Sequence, residues 1–278
     1  MSPSKKFIFT DFDLDGCMSY LLFLWFNSGK RIPYITVNIN NFNKSFKTWS
    51  RSSNPDRYDH IYILDLDTSQ ESLDLVDRSN VVIIDHHDTH VDNKDRYKRC
   101  KSFISDRPSC CRHIYELLAK QSDVVLSDAQ KHLILLVDDY DCYNLQLKHS
   151  HSLNILFWNY QGDRLSKFIN RFNNGFDGFT DEEQSVIKFY NKKIDRVISD
   201  LKLFEAEIPI SGTKYKFMST FATECINDVA HHVIDKMGAD IGVVVNLNTN
   251  KVSYRKNKSI DLNLSTIARK LNSGGGHK

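Results

Sequence analysis

The sequence predicts an α/β protein: a parallel sheet covered by helices, followed by a smaller second α/β domain. Three observations predict it. Short β-branched or aromatic runs alternate with longer helical patterns through the first half of the chain. The candidate strands there are apolar along their whole length, as strands covered on both faces are. A breaker cluster and a long helical pattern then separate this half from a shorter part with strands of its own.

Residues 6–10 (KFIFT) read as a buried strand and residues 16–27 as the helix that follows. Residues 32–37, 60–64 and 81–84 are the next strands. Between the second and third lies a polar stretch, residues 42–59, with Trp49, Arg51, Pro55 and Arg57, read as a solvated surface connection with an active-site loop as the alternative. Helical patterns follow at 110–120, 128–137 and 163–172, and Asn173 to Gly178 breaks the chain. Thr180, with Glu183 three residues on, opens a helical segment running to about Glu205. Strands are expected at 214–218, 241–246 and 251–255, the last two as a hairpin. The expected organisation is a first domain over 1–178, a linker helix over 179–206 and a second domain over 207–278.

With 278 residues, 41% of them hydrophobic, the chain can bury a large core and is not a disordered or fibrous sequence. Lys and Arg number 37 against 35 acids, a formal charge of +2, so affinity for phosphate has to be local and long nucleic acids are disfavoured as partners. The six cysteines form no CxxC pair, and Cys110 and Cys111 are adjacent, which predicts reduced thiols and a cytoplasmic protein. The N-terminus lacks the apolar core of a signal peptide. The longest apolar stretch, residues 20–26, is a third of the roughly 20 residues that a membrane span needs.

Four acidic groups each close an apolar run. Asp11, Asp13 and Asp15 follow the first strand, and an extended backbone would put all three carboxylates on one face. Asp65 and Asp67 follow the strand 60–64, Asp85, His86 and His87 follow 81–84, and Asp138, Asp139 and Asp141 follow the helical run 133–137. In a parallel sheet the strand C-termini line one edge, where ligands bind, so the three strand-end groups converge in space. A calcium loop at Asp11 is excluded, because Leu22 stands at its twelfth position and a strand precedes it. Carboxylates and imidazoles without thiolates favour Mn²⁺, with Mg²⁺ as alternative and catalytic zinc still open. Five or more such ligands suit two ions about 3.5–4 Å apart, an arrangement that predicts phosphoester hydrolysis. Near the C-terminus Gly274, Gly275, Gly276 and His277 offer backbone amides and a ring to an anion, although such a tail is ordinarily a solvated chain end.

The order Asp11-Phe12-Asp13-Leu14-Asp15-Gly16, Asp65, Asp85-His86-His87, Asp139 and Gly274-Gly275-Gly276-His277 resembles the DHH/DHHA1 phosphoesterase superfamily. Residues 252–255, Asp261 and Ile267-Ala268 are similar to its second-domain signature. Within the superfamily the chain looks most like the nanoRNase type, with a RecJ-like first motif, because Asp11 stands where nanoRNases commonly begin with His. The resemblance implies that Asp11 and Asp13 hold one ion, that Asp15, His86 and Asp139 hold the other, and that Asp65 bridges them. It further implies that His87 contacts the scissile phosphate, that Asp85 orients the histidines, and that Arg255 with the Gly274–His277 segment grips the substrate. The family pattern continues past the glycines where this sequence ends at Lys278, which predicts a shortened clamp. Asp67 and Asp138 remain alternatives to Asp65 and Asp139.

The expected activity is metal-dependent hydrolysis of short oligonucleotides, RNA or single-stranded DNA, to mononucleotides. Linear or cyclic dinucleotides and phosphoadenosine phosphate are the alternative substrates. A HAD-like phosphatase, with Asp13 as nucleophile, leaves His86, His87 and the glycines unused. A non-catalytic nucleotide-binding module is the alternative of another class. Trp49, Trp158 and Tyr254 are candidate base-stacking residues, for which burial in the core is the commoner role.

Overall fold

A computed structural model describes residues 4–69, 72–106, 108–264 and 266–268. The chain divides into two compact units, Met1–Thr180 and Asp181–Lys278.

The first unit runs β1 (Lys6–Thr10), α1 (Leu14–Phe26), β2 (Tyr34–Thr36), α2 (Ile39–Ser53), β3 (His60–Leu64), α3 (Leu73–Val76), β4 (Val81–Asp85), α4 (Asp88–Val91) and β5 (Lys101–Ile104). Four further helices complete it, α5 (Cys110–Ala119), α6 (Asp128–Asp141), α7 (Ser150–Asn159) and α8 (Arg164–Phe172). The sheet is parallel throughout, in the order β2-β1-β3-β4-β5, with Thr10 opposite Leu64 and Leu64 opposite Ile84. The strand order reverses between β1 and β3, which makes the C-terminal ends of those two strands the place where such sheets open a crevice.

Odd-numbered strand residues, Phe7, Phe9, Ile61, Ile63, Val81 and Ile83, form one buried face with Phe42, Phe46 and Trp49 of α2. Each fully buried ring or branched chain there contributes about 1.5–3 kcal/mol. On α2 the expected surface connection is corrected: residues 42–53 belong to an amphipathic helix. Its apolar stripe is only Phe42, Phe46 and Trp49, at the i, i+4, i+7 spacing, and the polar residues around it mask the period. Asn38 caps it by accepting from Asn41 N–H at 3.0 Å, and it ends where Asn54 takes a φ of 47° before Pro55. On the opposite face of the sheet, Phe23 of α1 packs its ring 4.6 Å from Tyr62. Helix α1 is buried on all sides from Leu14 to Trp25, which explains its nearly unbroken apolar sequence. Strand β5 and helix α7 lie outside the elements read from the sequence.

The second unit begins with α9 (Asp181–Ser199) and continues β6 (Phe204–Ile210), β7 (Thr213–Phe221), α10 (Ile226–Asp235), β8 (Ile241–Asn246) and β9 (Lys251–Lys256). The four-stranded sheet has the order β6-β7-β8-β9, parallel only between β7 and β8. The helix expected to reach about Glu205 stops at Ser199, because residues 204–210 pair with β7 as an edge strand that tolerates Pro209. Val229 and Ala230 of α10 pack on Val244, with Val197 of α9 and Leu201 against them. The β8–β9 hairpin turns where Asn246 Oδ1 accepts from Asn248 N–H and Thr249 N–H. Among the described residues no helix is long and apolar enough to cross a membrane. None of the six cysteines, all of them among the described residues, forms a disulfide.

Candidate metal centre

The acids that follow β1, β3 and β4 meet at the C-terminal edge of the sheet. Asp13 caps α1, accepting from Gly16 N–H at 2.9 Å. Thr10 ties the same loop by donating its hydroxyl to Gly16 C=O at 2.6 Å. Asp11 accepts from Phe12 N–H at 2.6 Å and Asp13 N–H at 3.3 Å. Asp15, in the first turn of α1, is buried and accepts from the first two amides of α5, Cys110 N–H at 2.7 Å and Cys111 N–H at 2.9 Å. The Cys110-Cys111 pair therefore matters here through its backbone, a role that no thiol count could suggest.

Asp65 leaves β3 with a φ of 59°, in the left-handed region, its N–H donated to Ile84 C=O at 3.0 Å. That conformation is costly for a residue with a Cβ and is held by the surrounding sheet. It delivers Asp65 Oδ1 to 3.3 Å from His86 Nε2. Asp15 Oδ2 stands 3.7 Å and Asp141 Oδ2 3.4 Å from the same nitrogen. Two overlapping sets of potential ligands result, Asp65-His86-His87 and Asp15-His86-Asp141, the atoms of each within 4.8 Å of one another.

The electrostatics of the cluster are adverse without a cation. Burial first, and then Asp15, Asp13, Asp141 and Asp85, push the Asp65 carboxyl well above the usual carboxylate range. Burial followed by Asp15 and Asp13 does the same to Asp141. Burial raises Asp15 against the opposing pull of His86. Burial and then Asp13 bring Asp11 to about 7. Asp65 Oδ1 and Asp141 Oδ2 are buried and accept no hydrogen bond from the described residues. Buried acceptors left in that state cost about 1–3 kcal/mol each. Acceptor-only oxygens aimed at an imidazole nitrogen are the donor set that Mn²⁺ or Mg²⁺ takes, so the residues fit a divalent ion.

Behind this cluster Asp85 holds two rings. His87 Nδ1 donates to Asp85 Oδ1 at 2.9 Å, and His90 Nδ1 donates to Asp85 Oδ2 at 2.6 Å. Burial opposes the charge on Asp85, but the two histidines outweigh it and hold its carboxyl well below the usual range. Burial likewise works against a charged His87, and Asp85 overcomes this to raise the ring to about 10. With Nδ1 donating to Asp85, His90 Nε2 accepts from Tyr97 O–H, 2.6 Å away, and Thr68 Oγ1 completes the chain at 2.9 Å.

The acids whose roles spacing left open have different partners. Asp67 accepts from Ser69 N–H at 3.0 Å, Ser69 O–H at 2.6 Å and the Thr89 hydroxyl, and so braces the loop while Asp65 faces the cluster. Asp138 accepts from Ser109 N–H at 2.9 Å. Asp139, the expected ligand, places its two oxygens on Gln146 N–H and Leu147 N–H, each at 3.0 Å, while Asp141 Oδ2 stands 3.4 Å from His86 Nε2. Asp11 and Asp13 flank the cluster without entering either three-residue set. In the second unit Arg255 donates to Asn227 Oδ1 at 2.9 Å, and burial with the Arg255 and Lys258 charges lowers His231 on α10 to about 3. Gly274, Gly275, Gly276 and His277 lie outside the described residues.

No protein-family model matches the sequence. No curated protein matches it either. Solved structures do resemble the fold. A DHH domain from a member of a family of ribosomal proteins matches with a TM-score of 0.61 at 12% identity, over 99% of this chain and 81% of that one. PggH, a pGpG-specific phosphodiesterase from Vibrio cholerae, matches with a TM-score of 0.58 at 13% identity, over 98% and 90% of the two chains. RecJ from Thermus thermophilus, in complex with Mn²⁺, matches with a TM-score of 0.51 at 11% identity. There the likeness covers 98% of this chain but 48% of RecJ, so the chain spans about half of that protein's length. The fold, a five-stranded parallel sheet with a second sheet after it, is thus one that a DHH domain also has.

Proposed function

We propose that this chain is a metal-dependent phosphodiesterase of the DHH type that hydrolyses short oligonucleotides. The observation that carries the reading is the convergence of Asp15, Asp65, His86, His87 and Asp141 at the sheet's crevice, with two buried carboxylate oxygens that accept no hydrogen bond from the described residues. Asp15, Asp65, His86 and Asp141 would hold one divalent ion, and Asp11, Asp13 and Asp65 a second. Bound there, Mn²⁺ or Mg²⁺ would supply Lewis acidity to the phosphoryl oxygens and acidify a water.

The chain's own residues supply the rest. His87, cationic at neutral pH because of Asp85, turns its Nε2 away from that carboxylate and would donate to a non-bridging oxygen of the scissile phosphate. Asp85 fixes its tautomer and its ring orientation. Asp15, anchored on two helix amides, keeps its oxygens in place as charge changes around it. Arg255 and the segment Gly274–His277 would bind substrate phosphate or base, as the family resemblance implies.

Short substrates are supported by two facts. The net charge of +2 offers few phosphate contacts for a long strand. The fold also matches nearly the full length of PggH, a pGpG-specific phosphodiesterase, so a linear dinucleotide is the second substrate to test.

The test is product analysis on a labelled pentanucleotide RNA, its DNA counterpart and a linear dinucleotide, with Mn²⁺, with EDTA, and with Asp65→Asn. Metal-dependent shortening that the substitution abolishes is the expected result. Activity that persists in EDTA or in Asp65→Asn overturns the mechanism, and binding of nucleotide without cleavage supports the non-catalytic module.

A further inference from the structure

A tryptophan and an arginine stand beside the acidic loop with no part in the metal centre. Of the chain's three tryptophans, Trp25 and Trp49 are 8% and 6% exposed, whereas Trp158 at the end of α7 is 38% exposed. Its ring meets Phe12 edge to face, with centroids 5.7 Å apart, and Phe12 sits between Asp11 and Asp13. The indole therefore adjoins the loop that carries the first acids of the cluster.

Arg164 places its guanidinium carbon 4.8 Å from the centre of the Trp158 ring. It opens α8, where a positive charge opposes the helix dipole. The neighbouring cap, Asp163, spends its carboxylate on Ser166 N–H at 3.1 Å and Ser166 O–H at 2.6 Å. Among the described residues Arg164 forms no ion pair, and its Nε is buried without a hydrogen-bond acceptor. A half-buried cation without an ion pair among the described residues, set over an exposed indole, is complementary to an anion that carries a π-face.

We infer that Trp158 and Arg164 form a nucleotide subsite beside the acidic loop, with the exposed part of the indole packing on the base and Arg164 pairing with a phosphate. The inference rests on the proposed phosphodiesterase reading for its biological ligand, a nucleotide next to the scissile bond. Stacking on an aromatic ring tolerates any base, so the subsite would select for nucleotides over sugar phosphates without selecting a sequence.

Tryptophan emission tests it directly, because a ligand that stacks reaches only the exposed indole. The full-length protein in Mg²⁺ is titrated with 5′-GMP and with ribose 5-phosphate. GMP is expected to quench, ribose 5-phosphate to displace GMP without quenching, and Trp158→Phe to remove the quench. Arg164→Gln is expected to weaken GMP about tenfold, and Arg164→Lys to restore part of that loss, with circular dichroism verifying each fold. A quench that survives Trp158→Phe, or GMP affinity unmoved by Arg164→Gln, overturns the subsite. Hydrolysis of the pentanucleotide is measured in parallel. Hydrolysis without any quench overturns the subsite and leaves the phosphodiesterase reading standing, while a Trp158-dependent quench without hydrolysis supports the subsite and overturns that reading.

Discussion

Asp139 and Asp141 stand two residues apart at the end of α6 and point to different ends: Asp139 ties down the following loop, and Asp141 faces His86. Two helical steps of about 100° put them on nearly opposite sides of the helix. Asp139→Ala is expected to cost about 1–3 kcal/mol, because two backbone donors lose their acceptor. Asp141→Ala is expected to leave the urea midpoint in EDTA no lower than that of the parent, because it removes a buried oxygen that accepts no hydrogen bond from the described residues. It should weaken the thermal stabilisation by Mn²⁺, which exists only if the ion prefers the folded state. Urea denaturation and thermal melts with and without Mn²⁺ separate the two.

Gly16 allows the acidic loop to close on itself. A Cβ there would sit 2.4 Å from Asp11 C=O, a backbone atom that cannot yield without moving the loop. Gly16→Ala should therefore destabilise by about 1–3 kcal/mol and weaken Mn²⁺ binding at the same time. Calorimetric titration with Mn²⁺ would show the second effect, and unchanged affinity would mean that Asp11 and Asp13 do not bear on the ion.

The Asp85–His90–Tyr97–Thr68 chain is a support whose loss should be felt at His87. Tyr97→Phe leaves His90 Nε2 without its 2.6 Å donor and is expected to cost about 1–3 kcal/mol in denaturant. Loss of such a supporting partner typically lowers metal affinity or activity by about 10–100-fold. Activity of Tyr97→Phe at full folding would read that effect apart from stability.

Asp77 provides the pH test. Partial burial opposes its charge, but amide hydrogen bonds from Cys100, Arg99 and Lys98, at 2.9, 2.7 and 3.1 Å, outweigh it and hold the carboxyl below the usual range. Because the folded value is depressed, its stabilisation is complete above the unfolded carboxylate pKa of about 4 and disappears as pH falls through the folded value. Asp77→Ala should thus be less stable than the parent at neutral pH, with the difference shrinking in acid. Urea midpoints at pH 7 and near pH 3 check it, and a constant difference would contradict the assignment.

The strands that end in acids were legible because each is a local event. An apolar run of five residues such as His60–Leu64, followed by Asp65, can be read without knowing what lies beside it. Helix α2 was not legible, since its three buried rings are diluted by twelve other residues that carry no period. Nor were the different partners of Asp139 and Asp141, since those of Asp139 are the amides of Gln146 and Leu147 in a loop with no pattern of its own. His90 was visible as a neighbour of the Asp-His-His triplet, but its bond to Asp85 and its link to Tyr97 depend on how α4 turns back over β4.

Sequence alone determined the α/β class, the order of the acidic groups and their position at strand ends, because strand periodicity and turn chemistry act over a few residues. Tertiary structure decided which oxygens are satisfied and which are left bare. Asp15 meets amides ninety-five and ninety-six residues away, Asp65 depends on a left-handed backbone that only the sheet can hold, and Asp141 is aimed by the phase of α6. Which carboxylate oxygens face His86 and which face backbone donors is therefore set by contacts that only the whole fold delivers.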